Sequence, residues 1–335
     1  MSNSNENKLL DSYNRVASKL RISVTDKCNF RCNFCMPDHP VWLPQHELLT
    51  FEEIHRLGTV FAKLGINKIR LSGGEPLLRN EIEKLVKMLV NINGISKVSM
   101  TTNGILLSNK VESLKKSGLN GVTISLHSLK KNRFEQITGT KNTFDKVLTS
   151  ITNAQECNLE VKINTVAIKN CNEDEILDFT KLAYTSGLTV RFIEYMPFDG
   201  NKLWGADKVI SEKQIIKLIS KVYQLYPIPR EFGSTANLYS FDKNSKGKIG
   251  IISSMTKPFC GDCDRVRLSA NGHLVPCLFS SNEYDIKSLL RQGVNDLTLC
   301  NFIKSCYLKK SPGVETMLKT QKIIEHVRPM HTIGG

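Results

Sequence analysis

The chain has 335 residues, of which 40% are apolar, and its formal net charge is +14. This length and apolar content suffice for one or two globular domains. No apolar run is long enough to span a membrane and the first residues lack a signal-peptide pattern, so we expect a cytoplasmic protein with no membrane partner. The basic residues are dispersed along the chain, so the charge indicates an anionic partner without identifying it.

Strands and helices are predicted to alternate through the first two thirds of the chain. Strand patterns occur at 20–25, 67–71, 97–101, 121–125, 160–168 and 189–194. Helical patterns occur at 50–64, 80–91, 108–117, 143–157 and 173–186. Thr50 followed by Glu53 predicts a capping box. Six parallel strands with intervening helices form either an open doubly wound sheet or an incomplete (β/α)6 barrel.

Three cysteines follow the first predicted strand, in the segment C-N-F-R-C-N-F-C: Cys28, Cys32 and Cys35. Three thiolates can hold three irons of a cubane iron–sulfur cluster and leave the fourth iron without a protein ligand. The alternative is a zinc site completed by His39 or His46. Zinc sites more often have paired C-x2-C spacings than this asymmetric triplet.

Polar segments also follow the next three predicted strands, beginning at Ser72, Thr101 and Ser125. The carboxyl ends of parallel strands are where α/β proteins bind their ligands. Within Ser72-Gly-Gly-Glu-Pro76, the two glycines allow close approach of the backbone to a ligand, and Glu75 offers an acceptor for an amino group. Taken alone, this segment also fits an ordinary turn.

A second cysteine group lies in the last third of the chain: Cys260, Cys263 and Cys277. Asn271-Gly272 lies between two apolar runs and predicts a hairpin that returns Cys277 to the side of Cys260 and Cys263. A zinc knuckle completed by His273 and a second cubane with an open iron both fit this pattern.

The first cysteine triplet and the G-G-E-P segment that follows it resemble the radical S-adenosylmethionine superfamily. The resemblance implies a [4Fe-4S] cluster on Cys28, Cys32 and Cys35, with S-adenosylmethionine at the open iron. It also implies reductive cleavage of a carbon–sulfur bond to give a 5′-deoxyadenosyl radical. The barrel would position this reactive group and exclude water from it.

Both cysteine groups, the segment C-x2-C-D-R-V-R-L-S and the terminal Ile333-Gly334-Gly335 resemble the GTP 3′,8-cyclase (MoaA) family of molybdenum-cofactor biosynthesis. The similarity extends from about residue 13 to the end of the chain. It implies a second [4Fe-4S] cluster on Cys260, Cys263 and Cys277. The implied reaction removes a hydrogen from C3′ of GTP, and C3′ then attacks C8 to give 3′,8-cyclo-7,8-dihydroguanosine triphosphate.

The same resemblance implies partners for the chain. GTP is the substrate, cyclic pyranopterin monophosphate synthase is the next enzyme of the pathway, and flavodoxin or ferredoxin is the reductant. No nucleic-acid partner is implied. The formation of a homodimer stays open.

The family resemblance also assigns roles to individual residues. It places S-adenosylmethionine at Phe34, Gly74, Ser125 and Met196. It places GTP at Arg21, Arg70, Thr101, Lys162, Arg265 and Arg267, with Lys68 as an addition, and it places Arg191 behind the S-adenosylmethionine residues. It also assigns a function to the tail residues Gly334 and Gly335. The alternation of Arg265 and Arg267 in one strand directs both to one face as anion binders. Each basic residue taken singly also fits a strand-end ion pair.

The predicted organisation has three parts. Residues 1–12 form a flexible N-terminus, residues 13–227 a partial barrel, and residues 228–335 a smaller domain with the second cluster and the Gly-Gly tail, the break falling at Tyr-Pro-Ile-Pro. One departure from the family pattern is His127, which replaces the usual aspartate after the fourth strand.

Two other functions stay open. One is another radical enzyme with an auxiliary cluster, acting in peptide or sulfatase maturation. The other is a zinc-stabilised, basic nucleic-acid-binding protein. The chain has only two tryptophans and eight tyrosines for base stacking, and its basic residues are not interleaved with aromatic ones.

Overall fold

A computed structural model describes residues 8–315 and 328–334 of the chain. The predicted flexible segment up to residue 7 and the predicted tail residue Gly335 lie outside the described residues. One sheet of twelve strands runs through the described part. Its strands are β1 (Lys19–Ser23), β2 (Lys68–Ser72), β3 (Lys97–Thr102), β4 (Gly121–Ser125), β5 (Glu160–Ala167), β6 (Thr189–Glu194), β7 (Tyr226–Ile228), β8 (Asn237–Ser240), β9 (Lys248–Ile252), β10 (Arg265–Leu268), β11 (His273–Val275) and β12 (Tyr284–Asp285).

The six predicted parallel strands are confirmed, and they are neighbours in sequence order from β1 to β6. The C-terminal third adds a parallel strand at each side, because β10 pairs with β1 and β9 pairs with β6. Antiparallel strands then complete both edges, β11 and β12 beyond β10, and β8 and β7 beyond β9. The α/β architecture with an incomplete, unclosed barrel is therefore as predicted.

Helices connect the parallel strands, as β–α alternation requires. The described helices are α1 (Phe51–Lys63), α2 (Ile82–Val90), α3 (Val111–Lys116), α4 (Lys131–Thr138), α5 (Phe144–Glu156), α6 (Ile176–Ser186), α7 (Glu212–Ile219), α8 (Lys287–Arg291), α9 (Asp296–Leu308) and α10 (Met330–Ile333). The capping box of α1 is confirmed, since the Glu53 N–H donates to Thr50 Oγ1 and the Thr50 N–H donates to a Glu53 carboxylate oxygen. In the described part of the chain, none of the helices is sufficiently long and apolar to cross a membrane.

Alternation along the parallel strands separates the core from the opposite face of the sheet. In β1 the side chains of Leu20 and Ile22 are buried in the apolar core, whereas Arg21 between them is only half-buried. In β2 the same alternation buries Ile69 and Leu71 and leaves Arg70 on the other face. The face of the sheet that does not contact this core therefore carries polar and basic side chains.

The sheet also bears on the predicted division at residue 227. Residues 248–252 and 265–268, which lie after that point, pair directly with the first and last of the six predicted strands. Backbone pairing thus joins both predicted domains in one sheet. The boundaries 13–227 and 228–335 stay a prediction.

Candidate active site

A cavity of about 890 Å³ opens on the polar face of the sheet. Its size suits a bound small molecule. Every residue predicted to hold a cluster, S-adenosylmethionine or GTP lines this cavity, as do Lys68 and Arg191. These residues come from the parallel strands, from the loops after β1, β2, β6 and β11, and from the segment before β10, so the sequence pattern correctly placed them in one region.

The first cysteine triplet occupies the loop after β1. The Phe30 N–H lies 3.4 Å from Cys28 Sγ, and the side-chain amide of Asn103 lies 3.8 Å from the same sulfur. Burial, followed by the charge of Glu75, raises the pKa of Cys28 to about 11. Burial and the nearby Cys28 raise the pKa of Cys35 to about 12, and burial likewise raises the pKa of Cys32.

The raised pKa values test whether this donor set fits a cluster. Thiols whose surroundings disfavour ionisation need a nearby positive charge to become thiolates, and bound iron supplies one. Three thiolates and no fourth side chain are the donor set of a cubane with one open iron. Within residues 8–315 and 328–334, no three His, Cys, Asp or Glu side chains are grouped to hold a single metal ion. Cluster ligands bind different irons and are not held to that geometry.

In the loop after β2, the expectation for Glu75 needs correction, and Gly74 has a structural reason of its own. Glu75 is fully buried, and its carboxylate accepts hydrogen bonds from the N–H groups of Leu77 and Asn103 and from the Thr102 hydroxyl. It therefore braces two loops and does not face a ligand. Gly74 is required by the protein itself, because a Cβ there would lie 2.2 Å from the carbonyl oxygen of Lys27. The glycine lets this loop pack against the chain just before Cys28.

The second triplet is assembled by the predicted hairpin, which is confirmed as β10 and β11. Burial raises the pKa of Cys260, and the nearby Cys277 and Cys263 raise it further, which places the three thiols in one group. Cys263 behaves differently. Burial raises the pKa of Cys263, but the charges of Arg265 and Lys310 outweigh burial and lower the pKa to about 6.

Strand register aligns several basic residues across the floor of the cavity. Arg21 is paired with Arg267 of β10 on one side and with Arg70 of β2 on the other. Arg70 and Arg191 both donate to Thr123 Oγ1, at 2.9 and 3.1 Å. Strand register and the shared contact with Thr123 therefore place a row of arginines on the face opposite the apolar core. This arginine row consists of Arg267, Arg21, Arg70 and Arg191.

These cations destabilise one another in the absence of an anion. Burial, and then the charges of the neighbouring arginines, lower the pKa of Arg21. The same causes lower the pKa of Arg191 to about 9 and that of Arg267 to about 10. In the part of the chain that the structure describes, Arg191 Nε is buried without a hydrogen-bond partner. The row is thus arranged to bind a multiply charged anion.

Thr101 and Lys162 are less free to contact a ligand than the arginines. Thr101 Oγ1 lies 3.4 Å from an Arg70 guanidinium nitrogen. Lys162 forms an ion pair of 2.5 Å with Glu160. Both side chains line the cavity, but each already has a protein partner.

The C-terminal segment reaches the arginine row. The carbonyl oxygen of Gly334 accepts hydrogen bonds from Arg267 at 2.7 Å and from Arg21 at 3.4 Å. Gly334 has a φ of +78°, and a Cβ there would lie 2.4 Å from Ser72 Oγ. Only glycine fits this position without displacement, because side chains are disfavoured at positive φ and the space is filled. The predicted proximity of the tail to the arginines is present for Gly334.

Two family models cover most of the chain. Residues 22–183 match the Radical SAM superfamily, and residues 188–316 match Molybdenum Cofactor Synthesis C. The GTP 3′,8-cyclase of Aquifex aeolicus is 38% identical over 329 residues, which cover 98% of this chain and 100% of that protein. The chain belongs to the GTP 3′,8-cyclase family. Membership of the Radical SAM superfamily implies a [4Fe-4S] cluster and S-adenosylmethionine.

A second relative and one solved structure are also similar to the chain. Molybdenum cofactor biosynthesis protein 1 of Dictyostelium discoideum is 40% identical over 331 residues, covering 97% of this chain and 52% of that protein. The chain thus spans about half of that relative. The crystal structure of Streptococcus suis SuiB bound to precursor peptide SuiA has a TM-score of 0.65 at 16% identity, covering 94% of this chain and 76% of that one. At that identity it shows a shared fold alone.

This member of the GTP 3′,8-cyclase family carries a histidine at the predicted departure. The ring of His127 lies edge-on to Phe34, with 4.7 Å between centroids, and its Nδ1 accepts a hydrogen bond from the Val166 N–H at 3.1 Å. Burial lowers the pKa of His127 to about 4, so the ring is neutral and carries its hydrogen on Nε2. His127 is therefore a neutral hydrogen-bond donor beside Phe34.

Sequence reasoning missed several residues of the site. Asn103 contacts Cys28, and Arg15 donates to the carbonyl oxygen of Cys260 at 2.9 Å. Lys310 contacts Cys263 from the end of α9. The position of Asn103 after β3 was a usable signal, whereas Arg15 and Lys310 contact cysteines that are remote in sequence.

Proposed function

We propose that the chain is a GTP 3′,8-cyclase that converts GTP to 3′,8-cyclo-7,8-dihydroguanosine triphosphate in the first step of molybdenum-cofactor biosynthesis. The observation that carries the proposal is one cavity that contains both cysteine triplets and the arginine row. The name and full-length similarity of the Aquifex aeolicus relative support the same reaction.

Cys28, Cys32 and Cys35 would hold a [4Fe-4S] cluster, and Phe34, Gly74, Ser125 and Met196 would hold S-adenosylmethionine. When bound, this pair supplies the 5′-deoxyadenosyl radical. The protein's contribution is to bury the thiols, to hold Cys28 by the Phe30 N–H and the Asn103 amide, and to keep water from the reacting atoms.

GTP would bind along the arginine row and the neighbouring basic residues. Its triphosphate would contact Arg21, Arg70, Lys162, Arg265 and Arg267. Burial and then the neighbouring arginines lower the pKa of Arg21, and the negative charge of the triphosphate would offset both effects. Arg265 is held with its guanidinium 4.9 Å from the centre of the Phe259 ring. Thr101 would act through Arg70, since it already contacts that side chain.

Cys260, Cys263 and Cys277 would hold a second [4Fe-4S] cluster near Arg265 and Arg267. The lowered pKa of Cys263 supports thiolate ligation at this site. The described tail segment would add Gly334 to the arginine row, as its carbonyl contacts already indicate.

Other expectations about the chain are part of the proposal. They are a flavodoxin or ferredoxin as electron donor, cyclic pyranopterin monophosphate synthase as the enzyme that receives the product, and a cytoplasmic location. Whether the chain forms a homodimer stays open.

The reaction is tested by anaerobic incubation of the reconstituted protein with GTP, S-adenosylmethionine and dithionite. We expect a brown protein with about eight irons per chain, as two cubanes require. We also expect 5′-deoxyadenosine to accumulate together with a cyclised nucleotide. A colourless zinc protein would contradict the radical chemistry, and 5′-deoxyadenosine without a GTP-derived product would contradict the substrate alone.

The maturation of a peptide or sulfatase is the alternative within the superfamily. The likeness to SuiB concerns the fold and does not favour a peptide substrate. The arginine row favours a polyanion instead. A GTP-dependent increase in 5′-deoxyadenosine would distinguish the two functions.

A further inference from the structure

Lys310 is a buried lysine behind the second cysteine triplet. It follows α9, is 3% exposed, and does not line the cavity, so it is not placed to contact a substrate. Its Nζ lies 2.9 Å from the carbonyl oxygen of Arg265, and 3.2 and 3.4 Å from the carbonyl oxygen and Sγ of Cys263. Its fourth neighbour is the Tyr307 hydroxyl at 3.0 Å. The Lys310 side chain therefore contacts the segment that carries Cys263 directly.

The hydrogen-bond pattern favours the protonated form of Lys310. Two of its partners are carbonyl oxygens and a third is the sulfur of Cys263, which as a cluster ligand has no hydrogen to donate. The Tyr307 hydroxyl is a fourth partner of Nζ. An ammonium group offers three N–H donors to these partners, whereas a neutral amine offers two. The geometry therefore favours a positive charge on Lys310.

None of the ion pairs found among residues 8–315 and 328–334 involves Lys310. The side chain is buried, and a buried charge requires a partner. Burial lowers the pKa of Lys310 and outweighs the opposing charges of Cys263 and Cys277, which raise it. The thiolate side of the second triplet is therefore the partner of this cation.

Arg15 offers a contrast on the same loop. It also is buried and also donates to a cysteine carbonyl, that of Cys260. However, its Nε forms an ion pair of 2.6 Å with the buried carboxylate of Asp11. The charge of Arg15 is neutralised locally, whereas the charge of Lys310 is directed at Cys263.

We propose that Lys310 is a positioning residue that sets the reduction potential of the second cluster, through its N–H···S contact and its buried charge at Cys263. The inference rests on the proposed function, in which Cys263 is a cluster ligand. On reduction the cluster gains one electron from an external reductant, and Lys310 keeps its protons. A buried cation stabilises the more negative, reduced cluster, so its removal makes the potential more negative.

The test is a dithionite redox titration of the reconstituted full-length protein, followed by electron paramagnetic resonance. Signals of the second cluster are assigned in a variant with alanine at Cys28, Cys32 and Cys35. For Lys310→Met we expect the ratio of reduced to oxidised second cluster, at the wild-type midpoint, to fall at least tenfold, which is about 59 mV for one electron. The first cluster should keep its potential.

Two variants separate this electrostatic role from a structural one. Lys309→Met removes an equal charge from the adjacent, exposed lysine and should leave the ratio unchanged, because solvent screens it. Lys310→Arg keeps the charge and should restore most of the wild-type ratio. If Lys310→Met loses iron, Lys310→Gln and Lys310→Arg are compared at equal iron content.

Equal potentials in the Gln, Arg and wild-type proteins would overturn the inference and leave the proposed cyclase intact. A wild-type protein with about four irons, and none on the second triplet, would overturn both. The iron content is measured before any variant is made, so the two failures are distinguishable.

Discussion

The two cysteine triplets share one cavity but have opposite electrostatic surroundings. At the first site, burial and then the charge of Glu75 raise the pKa of Cys28 to about 11, and burial and then Cys28 raise the pKa of Cys35 to about 12. At the second site, Arg265 and Lys310 lower the pKa of Cys263 to about 6 despite its burial. The environment thus disfavours the thiolates of the first triplet, whereas at the second triplet it stabilises the thiolate of Cys263.

This difference indicates a division of work between the sites. A cluster in surroundings that disfavour added negative charge has a low potential, as reductive cleavage of S-adenosylmethionine requires. A cluster beside several cations is better suited to hold an anionic substrate than to generate a radical. We therefore expect the first cluster to have the more negative potential.

The largest effect is expected from Gly74→Ala, which disturbs only the first cysteine triplet. The new Cβ would lie 2.2 Å from the Lys27 carbonyl oxygen, so the loop that leads into Cys28 must shift. We expect loss of iron from the first triplet, loss of 5′-deoxyadenosine formation, and a fall of about 1–3 kcal/mol in unfolding free energy.

The matched control for Gly74→Ala is Gly261→Ala in the second cysteine loop. A Cβ at Gly261 has no atom within 4 Å, so both clusters and activity should survive. Iron analysis and chemical denaturation check both variants. Full iron content in Gly74→Ala would show that the tight packing of the two loops is not needed at the first site.

The next largest effect is expected from Gly334→Ala, which disturbs the contact between the C-terminal segment and the arginine row. The residue has a φ of +78°, and its Cβ would clash with Ser72 Oγ, so the carbonyl contact with Arg267 is lost. A hydrogen bond to a charged group contributes about 1.5–3 kcal/mol. We therefore expect kcat to fall roughly tenfold to a hundredfold with both clusters retained.

Gly293→Ala controls for backbone strain in this comparison. Gly293 has a φ of +76° but no atom within 4 Å of an added Cβ. That variant should lose some stability and keep its kcat. Deletion of residues 334 and 335 should abolish cyclisation while the fold and both clusters survive. Undiminished product formation by the truncated protein would refute a functional tail.

A smaller effect is expected from Arg191→Met at the far end of the row. Arg191 shares Thr123 with Arg70 and has a buried Nε without a partner among the described residues. Loss of one charged contact should weaken GTP binding roughly tenfold to a hundredfold, measured by calorimetry under anaerobic conditions. Arg56→Met, which breaks a surface pair with Asp296, should change affinity little. Equal weakening in both would indicate a non-specific charge effect.

The smallest effect on turnover is expected at His127, whose role shows in stability. Burial lowers its pKa from 6.5 to about 4. Between these values the unfolded chain binds the proton and the folded chain does not, so stability falls as pH falls through this window. Between pH 6.5 and pH 5 the wild type should lose up to about 2 kcal/mol.

His127→Asn tests that pH dependence. The amide oxygen of asparagine can accept the Val166 N–H bond without titrating. Denaturation of the wild type and the variant at pH 7 and pH 5 should therefore show a smaller loss in the variant. An equal loss in the two proteins would mean that His127 does not titrate in this window.

Local patterns were sufficient for the strands and the cavity lining. Apolar and basic residues alternate around Arg21 and Arg70, and this local pattern predicts the face to which each side chain points. The adjacent pair Asn271-Gly272 likewise predicts a hairpin. The cysteine spacings likewise predicted two triplets, which the fold brings into one cavity.

Other features depend on contacts that local patterns do not contain. Helix α4 was not predicted from the sequence. It has only two buried apolar residues, Phe134 and Ile137, so its apolar periodicity is weak. The parallel pairing of β10 with β1 joins opposite ends of the chain. Glu75 was assigned to a ligand because its local turn does not reveal the donors from Thr102 and Asn103.

The different work of the two triplets is tested most directly by removing each in turn and assaying two products. Alanine at Cys28, Cys32 and Cys35 should abolish both 5′-deoxyadenosine and cyclised nucleotide. Alanine at Cys260, Cys263 and Cys277 should leave dithionite-driven 5′-deoxyadenosine formation and abolish cyclisation of GTP. Cyclised nucleotide from the second variant, or 5′-deoxyadenosine from the first, would contradict the division of work between the sites.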